Sequence, residues 1–403
     1  MRLSSIPASR QFFGICTGAI LAFMGFSMTD PLVPLMVTDL GASPRMLGVL
    51  MSLTSIGSCF TAIPAGMLVQ HYGTRIPIIM GCILSALSCL FLYFFPSFRA
   101  LLCGLTIYNI AKIILIVAAQ AHVGNLGEGR DASRDFGHYA AATSVGQLIG
   151  PSISGLIFDH YGGSFLWLFV SIFLLITAVA FFVLIDSGKT SKAHIEIKGS
   201  SFSFKINQVK KILDFNVVVA ILSSFIAVFA NGVRGTFFPV YIRGIGYSAF
   251  VVGVMISIRA LTSIVVRCLM PRIINLTGGR HPALIFSLFA LAVGLGSTSF
   301  CHSLWALAIN SMIVGLGMGL ALPLGMATVS EGVQPKDRGL ALGIRLTGNK
   351  LANILNPLFF GLVTQWWGFS LAFMMGGIIL IIADLPIFFY WKRKQKSNFS
   401  TRS

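Results

Sequence analysis

The sequence predicts an all-α membrane protein: twelve transmembrane helices in two parallel-repeat six-helix bundles around a central cavity. Three observations carry that prediction: a composition too apolar for a water-soluble body, twelve apolar runs of spanning length, and an internal repeat relating the halves. Of 403 residues, 56% are hydrophobic and only 10% charged, and the mean hydropathy is +0.87. A soluble domain carries about 25% charged residues, so the composition argues against a cytosolic enzyme, a secreted module and a disordered chain. The net charge of +17 would suit nucleic-acid binding in a polar chain. In one this apolar it points to a membrane surface, and no nucleic-acid partner is expected.

The apolar runs lie near 12–38, 46–70, 76–95, 98–123, 136–160, 163–186, 215–242, 248–270, 281–301, 303–330, 339–365 and 369–391, each long enough to cross a bilayer. Span 1 follows a basic flank and runs past residue 35 with no small-residue cleavage signal, so it reads as a retained helix rather than a signal peptide. The connections are short except 187–214, which carries six lysines. It reads as a cytoplasmic linker, with a short surface helix near 205–213, between an N-terminal bundle (1–186) and a C-terminal bundle (215–391). A basic tail, 392–403, follows.

Lys and Arg set the orientation. With both termini in the cytoplasm, twenty of the 29 basic residues fall on the cytoplasmic side, and only Arg45, Arg99 and Arg243 lie outside. The expected location is therefore the cytoplasmic (inner) membrane, with many passes and both termini inside. The seven cysteines show no CxxC spacing and fall almost entirely within apolar runs. Neither a disulfide framework nor a metal site is indicated, and no cofactor is expected.

Sliding the chain on itself by 205 residues aligns the halves. Between 41 and 80, nine of forty positions are identical, among them Gly41/Gly246, Gly48/Gly253, Gly73/Gly278, Arg75/Arg280 and Pro77/Pro282. Pro34/Pro239 extends the match upstream. One further residue of offset aligns Gly137/Gly343, Pro151/Pro357 and Gly155/Gly361. Each half holds an even number of spans, so the repeat is parallel, as in transporters whose substrate site lies at the midplane between halves.

Two motifs stand out. The loop after span 2 reads Gly66-Met-Leu-Val-Gln70-His-Tyr-Gly73-Thr-Arg75: glycines for a tight turn between helices and a basic end for the cytoplasmic face. Span 5 places Gly137, Gly146, Gly150, Pro151 and Gly155 in the pattern G-x8-G-x3-GP-x2-GG, with Ser154 replacing one glycine. Small residues on one face let helices approach closely, and a proline bends the helix; packing alone is the plainer reading.

On these residues the whole chain resembles a twelve-helix transporter of the major facilitator superfamily. The span-2 loop resembles that superfamily's GxLaDrxGrr signature, and the span-5 pattern resembles the antiporter motif of its drug/proton exporters. The resemblance implies alternating access and export. It also implies that Gln70, standing where the family has Asp, removes an Asp-based latch between the halves. The exporters' Arg motif in span 4 is absent, and Lys112 is the only base there.

Eight ionisable residues fall within spans: Asp30, Lys112, Arg234, Arg259, Arg267, Arg345, Lys350 and Asp384. Charges at membrane depth are costly and mark function by default. Arg267 and Asp384 lie nearer span ends, where anchoring competes with transport as an explanation. Asp30 precedes Pro31 and Pro34, which weaken the helix there. A carboxylate removed from water holds a proton more readily, and the resembled family often places an acid in span 1 for proton coupling. The alternative is a structural ion pair, since the repeat sets Asp30 within one residue of Arg234.

In span 11, Arg345, Asn349, Asn353 and Asn356 share one helix face, and Gln147 is the repeat-equivalent of Asn353. These groups read as cavity lining, with interhelical hydrogen-bond glue as the alternative. Lys112, Arg234 and Arg259, near mid-depth, join them as candidates. Six membrane bases against two acids favour an anionic cargo.

The expected function is secondary active transport of a small molecule, as a monomer, by proton-coupled efflux. The nearest rival is a carrier of an anionic metabolite or polycarboxylate siderophore in the same superfamily. No GxxxxGK[ST] loop or HExxH occurs, which argues against direct ATP drive and a membrane-embedded metalloenzyme. A non-transporting sensor would be expected to carry an appended soluble domain.

Overall fold

The computed structural model describes residues 8–126, 132–185, 215–331, 333 and 338–400. The linker at 187–214, with the helix expected near 205–213, lies outside them. The described residues form helices α1 (Ala8–Thr29), α2 (Val33–Asp39), α3 (Pro44–Tyr72), α4 (Arg75–Phe94), α5 (Phe98–Leu126) and α6 (Ala132–Leu184) in the first half. In the second half they form α7 (Phe215–Gly244), α8 (Ala249–Cys268), α9 (Met270–Leu276), α10 (Arg280–Ser297), α11 (Leu304–Glu331) and α12 (Arg338–Ser400), with one 3-10 turn at Thr298–Phe300. No strand occurs among the described residues.

Among the described residues, ten stretches are long and apolar enough to cross a membrane. Two of them, Asp135–Leu184 and Ala341–Phe389, are each broken once, at Gly162 and Gly368. Twelve crossing lengths result.

The repeat is written into the backbone. Every described residue with positive φ is a glycine, and six of the seven pair across the repeat: Gly41 with Gly246, Gly73 with Gly278, and Gly162 with Gly368. At Gly162 and Gly368 φ is 82° and 76°, a left-handed turn that residues with a Cβ rarely adopt. The chain reverses there between successive spans.

The first span differs from its repeat partner. Pro31 has no N–H to continue α1, and the helix breaks at 30–32. It restarts as α2 with Pro34 in its first turn. The equivalent Pro239 remains inside α7. Asp30 therefore sits at a helix end, its N–H still bonded to Phe26 O at 3.2 Å.

Two further differences from the sequence reading are local. Residues 271–280, expected as a loop, begin with the short helix α9, opened by Pro271, a residue suited to the first helical turn. The expected basic tail continues α12 to Ser400, because no Pro or Gly follows Pro386 to stop it.

The described residues fall into two compact units. One gathers those within Met1–Ala42, Leu50–Gly199 and Ile242–Ser257. Its core includes Phe26, Tyr108, Leu92 and Phe181. The other gathers those within Ser43–Val49, Ser200–Tyr241 and Ile258–Ser403, around Phe237, Phe360 and Phe373. The stretches 43–49 and 242–257 thus group away from their sequence neighbours. In the first unit Gly155 lies against the backbone of Ala249 and Gly253 against Pro151. In the second, Gly48 lies against Pro357. Glycine at each crossing allows the backbones to touch. Large apolar side chains such as Phe60, Ile63, Phe182, Trp305 and Trp366 stand exposed, as the lipid-facing surface of a membrane helix requires.

Candidate functional site

In the first unit the site is built where α1 ends against α5. Tyr108 and Lys112 are one turn apart on α5 and face α1. The Lys112 ammonium donates to both carboxylate oxygens of Asp30 at 2.8 Å. It also lies 5.3 Å from the centre of the Phe26 ring. Tyr108 and Thr29 share a 2.7 Å hydrogen bond, and Thr29 donates to Phe26 O at 2.9 Å. Phe26 meets Tyr108 edge to face at 5.8 Å. A hydroxyl–aromatic floor thus fixes the chain end that carries Asp30.

This arrangement corrects two expectations. Asp30 is paired with Lys112, not with Arg234, and Lys112 is not an unpaired base. The carboxylate is not enclosed: its side chain is 56% exposed, against 20% for Lys112.

The span-5 glycines divide by use. A Cβ at Gly146 would overlap Ile20 O and Met24 N, and one at Gly150 would overlap Ser27 and Met24 O. Ser27 bridges the same contact, donating to Gly146 O at 3.0 Å. α1 therefore lies directly on α6 at these two residues. Pro151 sits within α6, and the buried Ser154 donates to its carbonyl at 3.0 Å. Gly137 has no neighbour within 4 Å of where a Cβ would stand, nor has Gly66. Gln147 and Gln70 are exposed. Gly73 makes the left-handed turn before α4, and Arg75 donates to Phe182 O at 2.5 Å.

Sequence reasoning missed Asp159. Its two oxygens accept the backbone N–H groups of Ala249 (2.9 Å) and Phe250 (2.7 Å), the free donors at the start of α8. Arg243 stands 3.6 Å away. Nearby, Ser152 and Ser257 share a 2.9 Å hydrogen bond, and Ser257 donates to Leu148 O. Asp159 reads only as an acid at the end of the fifth run until the helix it caps is in place.

In the second unit Arg234 is 4% exposed and held by neutral groups. It donates to Asn310 Oδ1 at 2.5 Å, Thr298 Oγ1 at 3.0 Å and Ser311 Oγ at 3.2 Å. The Phe238 ring lies 3.5 Å from its guanidinium. Asn310 is itself tied to Gly294 O and Ser297. Arg259 on α8 is half-buried and donates to Asn231 Oδ1. The span-11 stripe splits in two. Arg345 donates to Ser224 Oγ at 2.6 Å and Leu322 O at 3.0 Å, and Asn356 packs on Gly232. Both tie α12 to its neighbours. Asn349 is half-buried with an unpartnered Oδ1, and Asn353 is exposed. No cluster of three or more His, Cys, Asp or Glu suited to a metal occurs among the described residues.

Comparison with known proteins agrees with the fold. The sequence profile of the Major Facilitator Superfamily matches residues 15–280 and 220–402. The chain is 22% identical over 387 residues to multidrug resistance protein 2 of Bacillus subtilis, covering 95% of this chain and 96% of that protein. It is 19% identical over 378 residues to the quinolone resistance protein NorA of Staphylococcus aureus, covering 88% and 89%. Among solved structures, the nucleoside transporter NupG superposes with a TM-score of 0.74 at 13% identity, covering 94% of this chain and 99% of that one. A bacterial homologue of the human lysosomal transporter Spinster superposes with a TM-score of 0.73 at 13% identity, covering 97% and 98%. With twelve apolar crossing lengths, a parallel repeat and this profile over nearly its whole length, the chain belongs to the Major Facilitator Superfamily and is a multi-pass membrane transport protein, not an enzyme.

Proposed function

We propose that the protein exports a small molecule across the cytoplasmic membrane in exchange for protons. It works as a monomer by alternating access, with both termini in the cytoplasm. The observation that carries this reading is the Asp30–Lys112 pair: a carboxylate at a broken helix end, only partly covered, held by one ammonium at 2.8 Å. Protonating Asp30 removes the charge that holds Lys112. Deprotonating it restores the pair. Such a contact differs between two protonation states, which is what a proton needs in order to bias a conformational equilibrium. Two relatives that cover most of the chain are named for drug resistance, which favours export over import. Asn349, Asn353 and Gln147 remain the polar groups this reading assigns to the substrate path. Gly146, Gly150 and Gly155 serve close helix packing.

A second reading, carriage of an anionic metabolite or polycarboxylate, is favoured by Arg259. It donates to the neutral Asn231, so its charge is available to an anion.

The test is purified protein in proteoliposomes with an imposed pH gradient, screened over matched cationic, neutral and anionic substrates. Gradient-driven flux of any of them supports proton-coupled transport. Flux that ignores the gradient for every substrate refutes it.

A further inference from the structure

Asp384 stands apart from everything above. It lies on the last crossing length of α12, where it is 5% exposed. Its Oδ1 is buried with no hydrogen-bond partner. No Lys, Arg or His among the described residues forms a salt bridge with it. A buried charged oxygen without a partner is costly, and the packing of the fold does not demand it. The repeat offset that pairs Gly162 with Gly368 puts Ala178 at the equivalent place, where a methyl group is equally buried at 5%.

The carboxylate lines a groove of about 420 Å³ between α10 and α12. The other walls are apolar and largely aromatic: Ile285, Phe286 and Phe289 from α10, with Phe388 and Trp391 from α12. Phe286 and Phe289 also have exposed faces, so the groove opens on the lipid side of the unit. Seven residues separate Asp384 from Trp391, about 10 Å along a helix. The apolar stretch ends at Phe389, so the acid lies about 8 Å inside the end of the span. Walled by aromatic side chains, it suits the charged centre of a ligand with an apolar body more than a lipid headgroup held at the interface.

We infer that this groove is a binding site for a lipophilic organic cation taken from the bilayer, with the Asp384 carboxylate as counter-charge and the Phe and Trp rings around the apolar body. The volume lies within the range of small-molecule sites. Aromatic faces attract a cation, more strongly once water is excluded. The site lies wholly within the second unit and does not involve Asp30 or Lys112.

The probe is tetraphenylphosphonium, with tetraphenylborate as the anion of the same shape. Binding is measured by equilibrium dialysis on the full chain in phosphatidylcholine nanodiscs. The wild type binds the cation saturably and in preference to the anion. Asp384→Asn keeps the shape of the side chain and weakens cation binding about tenfold or more. Ile285→Trp fills the groove, leaves the carboxylate in place and abolishes the same binding component, so the test survives if one variant fails to fold. No saturable binding, equal binding of cation and anion, or affinity within about twofold of wild type in a folded variant overturns the inference. So does loss of cation binding in phosphatidylethanolamine nanodiscs, which would assign the seat to a primary-ammonium headgroup that the quaternary choline of phosphatidylcholine does not replace. The assay uses no pH gradient and reads no flux, so its outcome is independent of the transport reading.

Discussion

The Lys112 ammonium sits 2.8 Å from both oxygens of Asp30, bridging the end of α1 to the middle of α5. The Asp30 side chain is 56% exposed, so the pair is not enclosed by packing, and its contribution to stability should be small. A double-mutant cycle of Asp30→Asn and Lys112→Gln, read by thermal unfolding in detergent, is expected to give a coupling of about 1 kcal/mol or less. A coupling of several kcal/mol would make the pair a structural clamp.

Arg234 is the contrasting case. It is almost wholly buried, with three neutral side chains around its fork and the Phe238 ring on its face. Arg234→Ala leaves Asn310, Thr298 and Ser311 without their donor and should cost about 3 kcal/mol. Arg234→Lys should recover little, because an ammonium cannot match the planar fork. Thermal unfolding of the two variants against wild type checks both statements.

The span-5 glycines allow a comparison within one motif. Gly146→Val and Gly150→Val drive side-chain atoms into the α1 backbone, and each should cost roughly 1–3 kcal/mol or more. Gly137→Ala meets nothing within 4 Å and should be neutral or slightly stabilising, since alanine is the better helix former. Folded yield by size-exclusion chromatography and the unfolding midpoint separate the outcomes. Equal damage at all three positions would contradict the packing account.

Asp159 caps the N-terminus of α8 from another helix, accepting from Ala249 and Phe250. Asp159→Ala should lower stability by about 1–2 kcal/mol. Asp159→Asn should lower it less, because one oxygen acceptor remains. Hydrogen exchange at the first turn of α8 should rise in step.

The spans were legible because hydropathy is a local property that a long helix repeats many times over. α2 and α9, at seven residues each, are too short to leave such a signal. Asp30 stood out as an acid before two prolines, yet its partner did not. Equal depth in the repeat pointed to Arg234, whereas the geometry of α5 brings Lys112 to it. Arg234 has no acid as partner: Asn310, Thr298 and Ser311, polar residues that no composition count flags, accept from its two terminal nitrogens, while its Nε stays without a partner. Gly146, Gly150 and Gly155 were legible as a motif, but only the fold separates them from Gly137. Asp159 and the unpartnered oxygen of Asp384 depend on which helices become neighbours, and a single sequence does not contain that.

The most direct test of the central claim compares two modes of transport in the same proteoliposomes, wild type beside Asp30→Asn. One mode is substrate exchange at equal pH on both sides; the other is net flux driven by a pH gradient with a pH-sensitive dye inside. The account predicts that Asp30→Asn retains exchange but loses both gradient-driven accumulation and substrate-linked proton movement. Gradient-driven flux and proton movement at wild-type levels in Asp30→Asn would contradict it.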